Sequence, residues 1–146
     1  MLSRRAFYPC IALLLFTTAA ASAGEVIPGP VEARVVRVID GDTFVAEAHV
    51  WPGQTVMVSV RIRGVDAPEL RSRCGTEKLA ALRSRDALEE MIGGAPVRIR
   101  NISGDKYFGR VVADVTTEED EPVAESLLVR ALARSYAGGA RVSYCG

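Results

Sequence analysis

The sequence has few of the residues from which many catalytic and metal centres are built. It contains one histidine, three cysteines and one tryptophan among 146 residues. We interpret His49 as a surface residue in a loop, so that neither a histidine-based triad nor a zinc site can be built from it. Cys74 and Cys145 are too few for a structural zinc site. Trp51 is interpreted as packing within the same loop rather than as a stacking platform for a base.

An excess of positive charge is also missing. The chain has 18 basic and 18 acidic residues, and its net charge is therefore zero. This balance excludes a protein that is held to nucleic acid by its overall charge alone. Any contact with nucleic acid must therefore be local, or must be helped by a bound cation.

Long apolar runs are absent except near the N-terminus, where Arg4 and Arg5 precede an apolar run from Ile11 to Ala21. Ala21-Ser22-Ala23 then supplies the small residues that a signal peptidase reads, with cleavage after Ala23. A membrane anchor is the alternative, but the run is too short to span a bilayer comfortably. We therefore expect an exported protein, periplasmic or extracellular, with no membrane association after cleavage and 16 basic against 18 acidic residues.

The length permits one domain and not two. We expect a signal peptide over residues 1–23, a leader over 24–30 and a single folded domain over 31–146. Cys74 and Cys145 remain after cleavage, and export favours a disulfide between them. Closing a loop of this size would contribute on the order of 4 kcal/mol in the chain-entropy model. Two free thiols, or an intermolecular bond, are the alternative.

Hydrophobic periodicity predicts five short strands and two helices. The expected strands are Glu32–Ile39, Thr43–Ala48, Thr55–Arg63, Pro96–Asn101 and Gly109–Val115. The expected helices are Glu77–Ile92, with Thr76 as N-cap, and Val123–Ala133. His49–Gln54 is expected to be a loop. This pattern predicts an α+β fold, mainly β with helices: a five-stranded OB-fold barrel, built from an antiparallel sheet with one wet face.

The third expected strand has a clear period of two. Val56, Val58, Val60 and Ile62 share one face, and the arginines at 61 and 63 lie on the other. Arg61 should therefore point out of the barrel while its neighbours fill the core. Arg63 is interpreted as solvated.

Three polar motifs occur in order along the chain. They are Ile39-Asp40-Gly41-Asp42-Thr43 at a predicted hairpin turn, Arg61 to Glu69 running off a strand end, and Asp105-Lys106-Tyr107-Phe108-Gly109-Arg110 entering the last strand. Each is weak alone, since Asp-Gly-Asp usually marks only a turn. In this order and spacing the chain resembles the staphylococcal nuclease family, over about Val35 to Arg134. The sequence after Arg134 lacks the third helix of longer family members.

The resemblance implies a calcium site formed by Asp42, Asp66 and the backbone carbonyl of Ala67. Carboxylate and carbonyl oxygens are the ligands that this hard cation prefers. Asp40 is interpreted as support for the turn rather than as a ligand.

The resemblance also implies that Arg61 and Arg110 bind the phosphate and that Glu69 positions or deprotonates the attacking water. Lys106 and Tyr107 are expected to contact substrate, although Phe108 is an alternative for the tyrosine position, because the loop is one residue longer than the usual pattern. Tyr136 is the nearest counterpart of a later tyrosine pair. The implied function is a calcium-dependent nuclease for DNA and/or RNA, endonucleolytic and monomeric.

Two other functions are compatible with parts of the sequence. The first is a non-catalytic OB-fold module that binds nucleic acid or a protein, although such a module has little use for Asp42, Asp66 and Glu69 as a set. The second is an interaction protein of the cell envelope. The acidic run Glu118–Glu121, expected to be a solvated turn, and the neutral charge balance permit it, but it leaves the set of acids and arginines unexplained.

Overall fold

The structure, a computed structural model, describes residues 24–146. The expected signal peptide lies outside the described residues. In chain order the strands are β1 (Val26–Ile27), β2 (Val31–Asp40), β3 (Thr43–Trp51), β4 (Gln54–Ile62), β5 (Val65–Asp66), β6 (Pro96–Gly104), β7 (Arg110–Thr117) and β8 (Arg134–Ser135). The helices are α1 (Gly75–Ile92), between β5 and β6, and α2 (Val123–Val129), between β7 and β8.

Five of these strands close into a barrel. Neighbours pair in the order β6, β2, β3, β4 and β7, and β7 pairs back with β6. The pairing of β4 with β7 is parallel and the others are antiparallel, so the expectation of an antiparallel sheet is wrong at the closing seam. The α+β class and the five-stranded OB-fold-like barrel with two helices are confirmed. Outside the barrel, β1 extends the edge of β6, and β5 pairs with β8.

The barrel is filled by the inward side chains of the alternating strands. Phe44, Val60 and Ile62 are at most 1% exposed, and each such side chain contributes roughly 1.5–3 kcal/mol by leaving water. Helix α1 covers one end of this core through Ser84, Leu88 and Ile92, which recur at helical spacing on its buried face. Among residues 24–146, no helix has both the length and the apolar character needed to cross a bilayer.

The β3–β4 hairpin is longer than the sequence predicts. His49–Trp51 continues β3 instead of forming a loop, and a turn at Pro52 and Gly53 leads into β4. This end of the hairpin extends beyond the core, so Val56 is 48% exposed and Trp51 is 73% exposed. The expected packing of Trp51 within a loop is therefore wrong, and only the second half of β4 follows the expected alternation.

Two other local expectations are corrected by the structure. Helix α1 begins one residue before Thr76, and its N-cap is Cys74, without a side-chain cap. Arg63 is only partly solvated: its side chain is 40% exposed, but its Nη2 donates to the carbonyl oxygens of Asn101 (2.5 Å) and Val112 (3.0 Å). It therefore ties the end of β4 to β6 and β7.

A disulfide joins Cys74, at the start of α1, to Cys145, with the two Cα atoms 6.1 Å apart. It closes a loop with a sequence separation of 71 residues. The C-terminal tail, residues 136–146, is thereby attached to the beginning of the helix. This attachment holds the tail against the segment that joins β5 to α1.

Reduction of this disulfide is expected to lower the melting temperature by on the order of 10 °C. A cross-link of this span limits the unfolded ensemble by about 4 kcal/mol, and 1 kcal/mol shifts the melting point of a domain this size by several degrees. Thermal unfolding followed by circular dichroism, with and without reductant, measures the shift. The Cys74→Ser, Cys145→Ser double variant should melt at the lower temperature in both buffers. An unchanged melt on reduction would show that the bond does not stabilise the fold.

Candidate active site

The turn between β2 and β3 brings Asp42 against the segment that follows β5. A Cβ atom placed on Gly41 would lie 2.5 Å from Ser84 Cβ and 2.8 Å from Ala67 Cβ. Glycine is therefore needed here for close approach rather than for an unusual backbone angle. The Asp42 carboxylate, 3% exposed, accepts hydrogen bonds from the backbone N–H of Ala67 (2.9 Å) and from the hydroxyl of Thr43 (2.8 Å).

Arg61 lies between the two buried aspartates. It is opposite Thr43 in the β3–β4 ladder and projects away from the core, as the strand alternation predicts. Its Nη1 donates to Asp42 Oδ1 at 3.0 Å, and its Nη2 lies 3.4 Å from Asp66 Oδ1. Asp66 is 5% exposed. The guanidinium therefore balances two carboxylates whose burial would otherwise be costly.

A second guanidinium, from Arg141 in the C-terminal tail, contacts the same acidic group. Arg141 Nε donates to both carboxylate oxygens of Asp66, each at 2.9 Å, and Nη2 donates to the carbonyl oxygen of Ala67 at 2.7 Å. Its Nη1 forms an ion pair with Glu69. Burial lowers the pKa of Arg141, but the bond and charge of Asp66 outweigh it and hold the pKa above its ordinary value.

Glu69 sits at the edge of the site, with a side chain that is 57% exposed. Its backbone N–H donates to Oε1 of the buried Glu77 at 3.0 Å, which fixes the segment before α1. Hydrogen bonds from Ser72 and from the Glu69 N–H lower the pKa of Glu77, so it stays ionised as an anchor. The Glu69 carboxylate is thus positioned by its backbone while it stays open to solvent.

The loop between β6 and β7 presents Arg110 from the other side. Arg110 Nε donates to Asp105 Oδ2 at 2.6 Å, and the guanidinium carbon lies 4.5 Å from the Tyr107 ring centroid. Burial raises the pKa of Asp105, but the hydrogen bonds from Arg110 and the Lys106 N–H outweigh it, and the pKa lies below its ordinary value. The Asp105 carboxylate therefore orients the guanidinium of Arg110.

All the residues predicted to bind metal or substrate or to act on the water line one cleft of about 760 Å³. The residues that sequence reasoning placed there are Asp42, Arg61, Asp66, Ala67, Glu69, Lys106, Tyr107 and Arg110. Tyr107 is a lining residue, whereas Phe108 is fully exposed and is not. Tyr136 also lines the cleft, with its ring centroid 5.7 Å from the guanidinium carbon of Arg61.

Asp40 behaves as support for the turn. Its Oδ1 accepts a hydrogen bond from the Asp42 N–H at 3.1 Å. Burial, together with the negative charge of Asp42, raises the pKa of Asp40 to about 6. Asp40 is therefore protonated more readily than an ordinary aspartate, mainly because it is buried.

The chain that carries these buried carboxylates and facing arginines is similar to known nucleases. The family model described as staphylococcal nuclease homologue matches residues 59–143, more than half of the chain. The chain belongs to the staphylococcal nuclease family. A probable staphylococcal-like nuclease, CAN3, from Oryza sativa subsp. japonica is 45% identical over 56 residues. That alignment covers 38% of this chain and only 13% of the rice protein, so the chain spans a small part of that relative.

Within the family match lie Arg61, Asp66, Glu69 and Arg110. Asp42 lies before its first residue and is brought to the site by the β2–β3 turn. The staphylococcal nuclease motifs did not reveal Arg141 or Glu77. Arg141 reaches its partner Asp66 across 75 positions, and no local pattern distinguishes it from other surface arginines. The pairing of Cys74 with Cys145 was the one signal that the tail folds back.

Proposed function

We propose that this member of the staphylococcal nuclease family is an exported, calcium-dependent nuclease that hydrolyses phosphodiester bonds of DNA and/or RNA, acting endonucleolytically as a monomer. The observation that carries the proposal is the convergence of Asp42, Asp66, Arg61 and Arg110 on one cleft with the exposed carboxylate of Glu69 at its edge.

The oxygen atoms of the site fit a hard divalent cation. Asp42 and Asp66 supply buried carboxylates, and the Ala67 carbonyl already accepts a hydrogen bond from a positively charged guanidinium. Because the donors are all oxygen and the surroundings attract cations, these three residues would hold calcium. When bound, the cation would supply positive charge that offsets the charge of the phosphate and stabilises its increase during the reaction.

The arginines would bind the phosphate. Arg61 and Arg110 are the guanidinium groups that enter the cleft from β4 and β7, and both are held by carboxylates in the structure. A guanidinium fork binds two phosphate oxygens at once and neutralises charge that builds on them. Asp105 keeps Arg110 oriented. Tyr107 and Lys106, which line the same cleft, would contact the nucleotide.

Glu69 would act on the nucleophile. Its carboxylate is within reach of solvent and is anchored through its backbone to Glu77. It orients a water molecule and takes up the proton as the water oxygen bonds to phosphorus. One ester P–O bond breaks, and the leaving oxygen takes a proton from solvent. Export is supported by the Cys74–Cys145 disulfide, since such bonds persist in oxidising compartments.

Cleavage of supercoiled plasmid by the purified protein, in calcium or in excess chelator, tests this proposal. Nicking that requires calcium is the expected result. A folded protein that binds DNA but cleaves neither DNA nor RNA in calcium would instead favour the non-catalytic OB-fold module.

A further inference from the structure

Arg141 occupies the oxygen atoms that the proposed function gives to calcium. Its guanidinium contacts both oxygens of the Asp66 carboxylate and the carbonyl oxygen of Ala67, at 2.7 to 2.9 Å. The remaining nitrogen forms an ion pair with Glu69. All three nitrogen atoms are therefore engaged with the two expected ligands and with the expected base. Arg141 lies outside the three staphylococcal nuclease motifs described above, and those motifs assign no role to it.

The backbone on both sides of Arg141 is fixed by contacts that do not involve its side chain. Before it, the Tyr136 N–H donates to the Gly64 carbonyl oxygen at 2.9 Å, next to the β5–β8 pairing. After it, the Tyr144 hydroxyl donates to the Asp66 carbonyl oxygen at 2.5 Å, and Cys145 is bonded to Cys74. These contacts therefore keep the backbone of the tail close to the acidic cluster, whatever the Arg141 side chain contacts.

The contact between Arg141 and Asp66 affects the charge balance of the buried carboxylate. Asp66 is almost fully buried, and Arg61 approaches it only at 3.4 Å because that guanidinium is shared with Asp42. Arg141 is the closer positive partner of Asp66. A buried carboxylate that loses its closer cation keeps only the more distant one and is destabilised. Arg141 thus supplies at Asp66 part of the positive charge that a divalent cation would also supply.

We propose that Arg141 is an internal cation that competes with the divalent cation for Asp66 and Ala67, and that this competition sets the cation affinity of the site. This inference rests on the proposed function, because it takes Asp66 and Ala67 as calcium ligands. A guanidinium and a divalent cation repel each other at these oxygens, so binding of calcium requires Arg141 to move away. The same movement breaks the ion pair with Glu69, so the carboxylate is released for water when the site is loaded.

Arg141→Ala is expected to bind calcium about tenfold or more tightly than the wild-type protein, measured by isothermal titration calorimetry of the purified protein. The same variant should melt at a lower temperature in chelator, and calcium should raise its melting temperature by more than it raises that of wild type. Arg141→Gln removes the charge and leaves a shorter, polar amide side chain. It should show the same gain in affinity with a smaller loss of stability in chelator.

Arg130→Ala is the matched control. It removes one positive charge from an exposed position at the end of α2, so it reports any effect of net charge alone. Its calcium affinity should equal that of wild type. An affinity gain in this variant as large as that in Arg141→Ala would overturn the inference, because general charge would then explain it.

The remaining outcomes separate the two proposals. Equal or weaker calcium affinity in Arg141→Ala and Arg141→Gln, with wild type binding normally, overturns the competition and leaves the calcium site intact. Absence of calcium binding in wild type and all variants, with no calcium-dependent cleavage, overturns the calcium site and the inference with it. Calcium binding that is measurable only after Arg141 is replaced would support the inference, because Arg141 would then exclude calcium from the wild-type site.

Discussion

Replacing Arg110 by alanine is expected to lower the rate of phosphodiester cleavage by about 10²- to 10³-fold, the usual effect of removing one preorganised group that stabilises developing charge. Arg110 enters the cleft from β7 and is oriented by Asp105 at 2.6 Å, so its geometry is set before substrate arrives. The effect should appear in kcat more than in KM, because the contact strengthens as charge builds on the phosphate. Initial rates on plasmid or on a defined oligonucleotide, with calcium saturating, measure the loss.

Arg110→Lys should recover little of that activity. An ammonium group keeps the charge but loses the planar fork that binds two phosphate oxygens. Arg98→Ala is the matched control, because Arg98 also makes one short ion pair, with Asp120 at 2.7 Å, but does so outside the cleft. It should cleave at the wild-type rate. An Arg110→Ala variant that is as active as this control would remove Arg110 from the reaction.

Most of the site could be predicted from the sequence, because most of its residues stand in short, recognisable sequence patterns. Asp42 lies in a tight turn, Arg61 lies on a strand with clear alternation, and Glu69 follows Asp66 by three positions. Each of these relations depends on a few neighbouring residues, and the order of the motifs along the chain indicated that they meet. The barrel was predictable for a similar reason, since period two is visible within each strand.

The wrong structural predictions concern features that depend on contacts between distant parts of the chain. Nothing within β4 or β7 reveals that the two strands run parallel, because that pairing is set by the path of the intervening helix. The strand character of His49–Trp51 depends on its partner, which extends the hairpin past the core. Trp51 consequently stays in solvent, although a large apolar residue near Pro-Gly indicated local packing.

Arg141 is the most instructive omission. A surface arginine in a glycine-rich tail has no periodic context, and its role follows only from where the disulfide and the Tyr144 hydroxyl bring it. The acids of the site, by contrast, stand in recognisable motifs. Sequence reasoning therefore found the negative charges and two of the cations that balance them. It missed the third, because that cation is supplied from the far end of the chain.

Replacing Glu69 by glutamine is expected to remove most of the activity, by about 10²- to 10⁴-fold, while the fold survives. The side chain is largely exposed, and the segment is held by the Glu69 backbone N–H, which the substitution keeps. Glutamine has the same size but cannot accept the proton from water. Cleavage assays in saturating calcium, with thermal melts of both proteins, measure the two parts of this prediction. Glu119→Gln, in the exposed turn after β7, is the control for loss of one negative charge.

Calcium affinity distinguishes a role in water activation from a role in holding the cation. If Glu69 acts on the water, the Glu69→Gln variant should bind calcium at least as tightly as wild type. Loss of the Glu69–Arg141 ion pair should in fact ease the movement of Arg141 away from Asp66. A variant that loses activity and calcium affinity together would make Glu69 a contributor to cation binding. Full activity would exclude Glu69 from the mechanism and would mean that another group in the cleft activates the water.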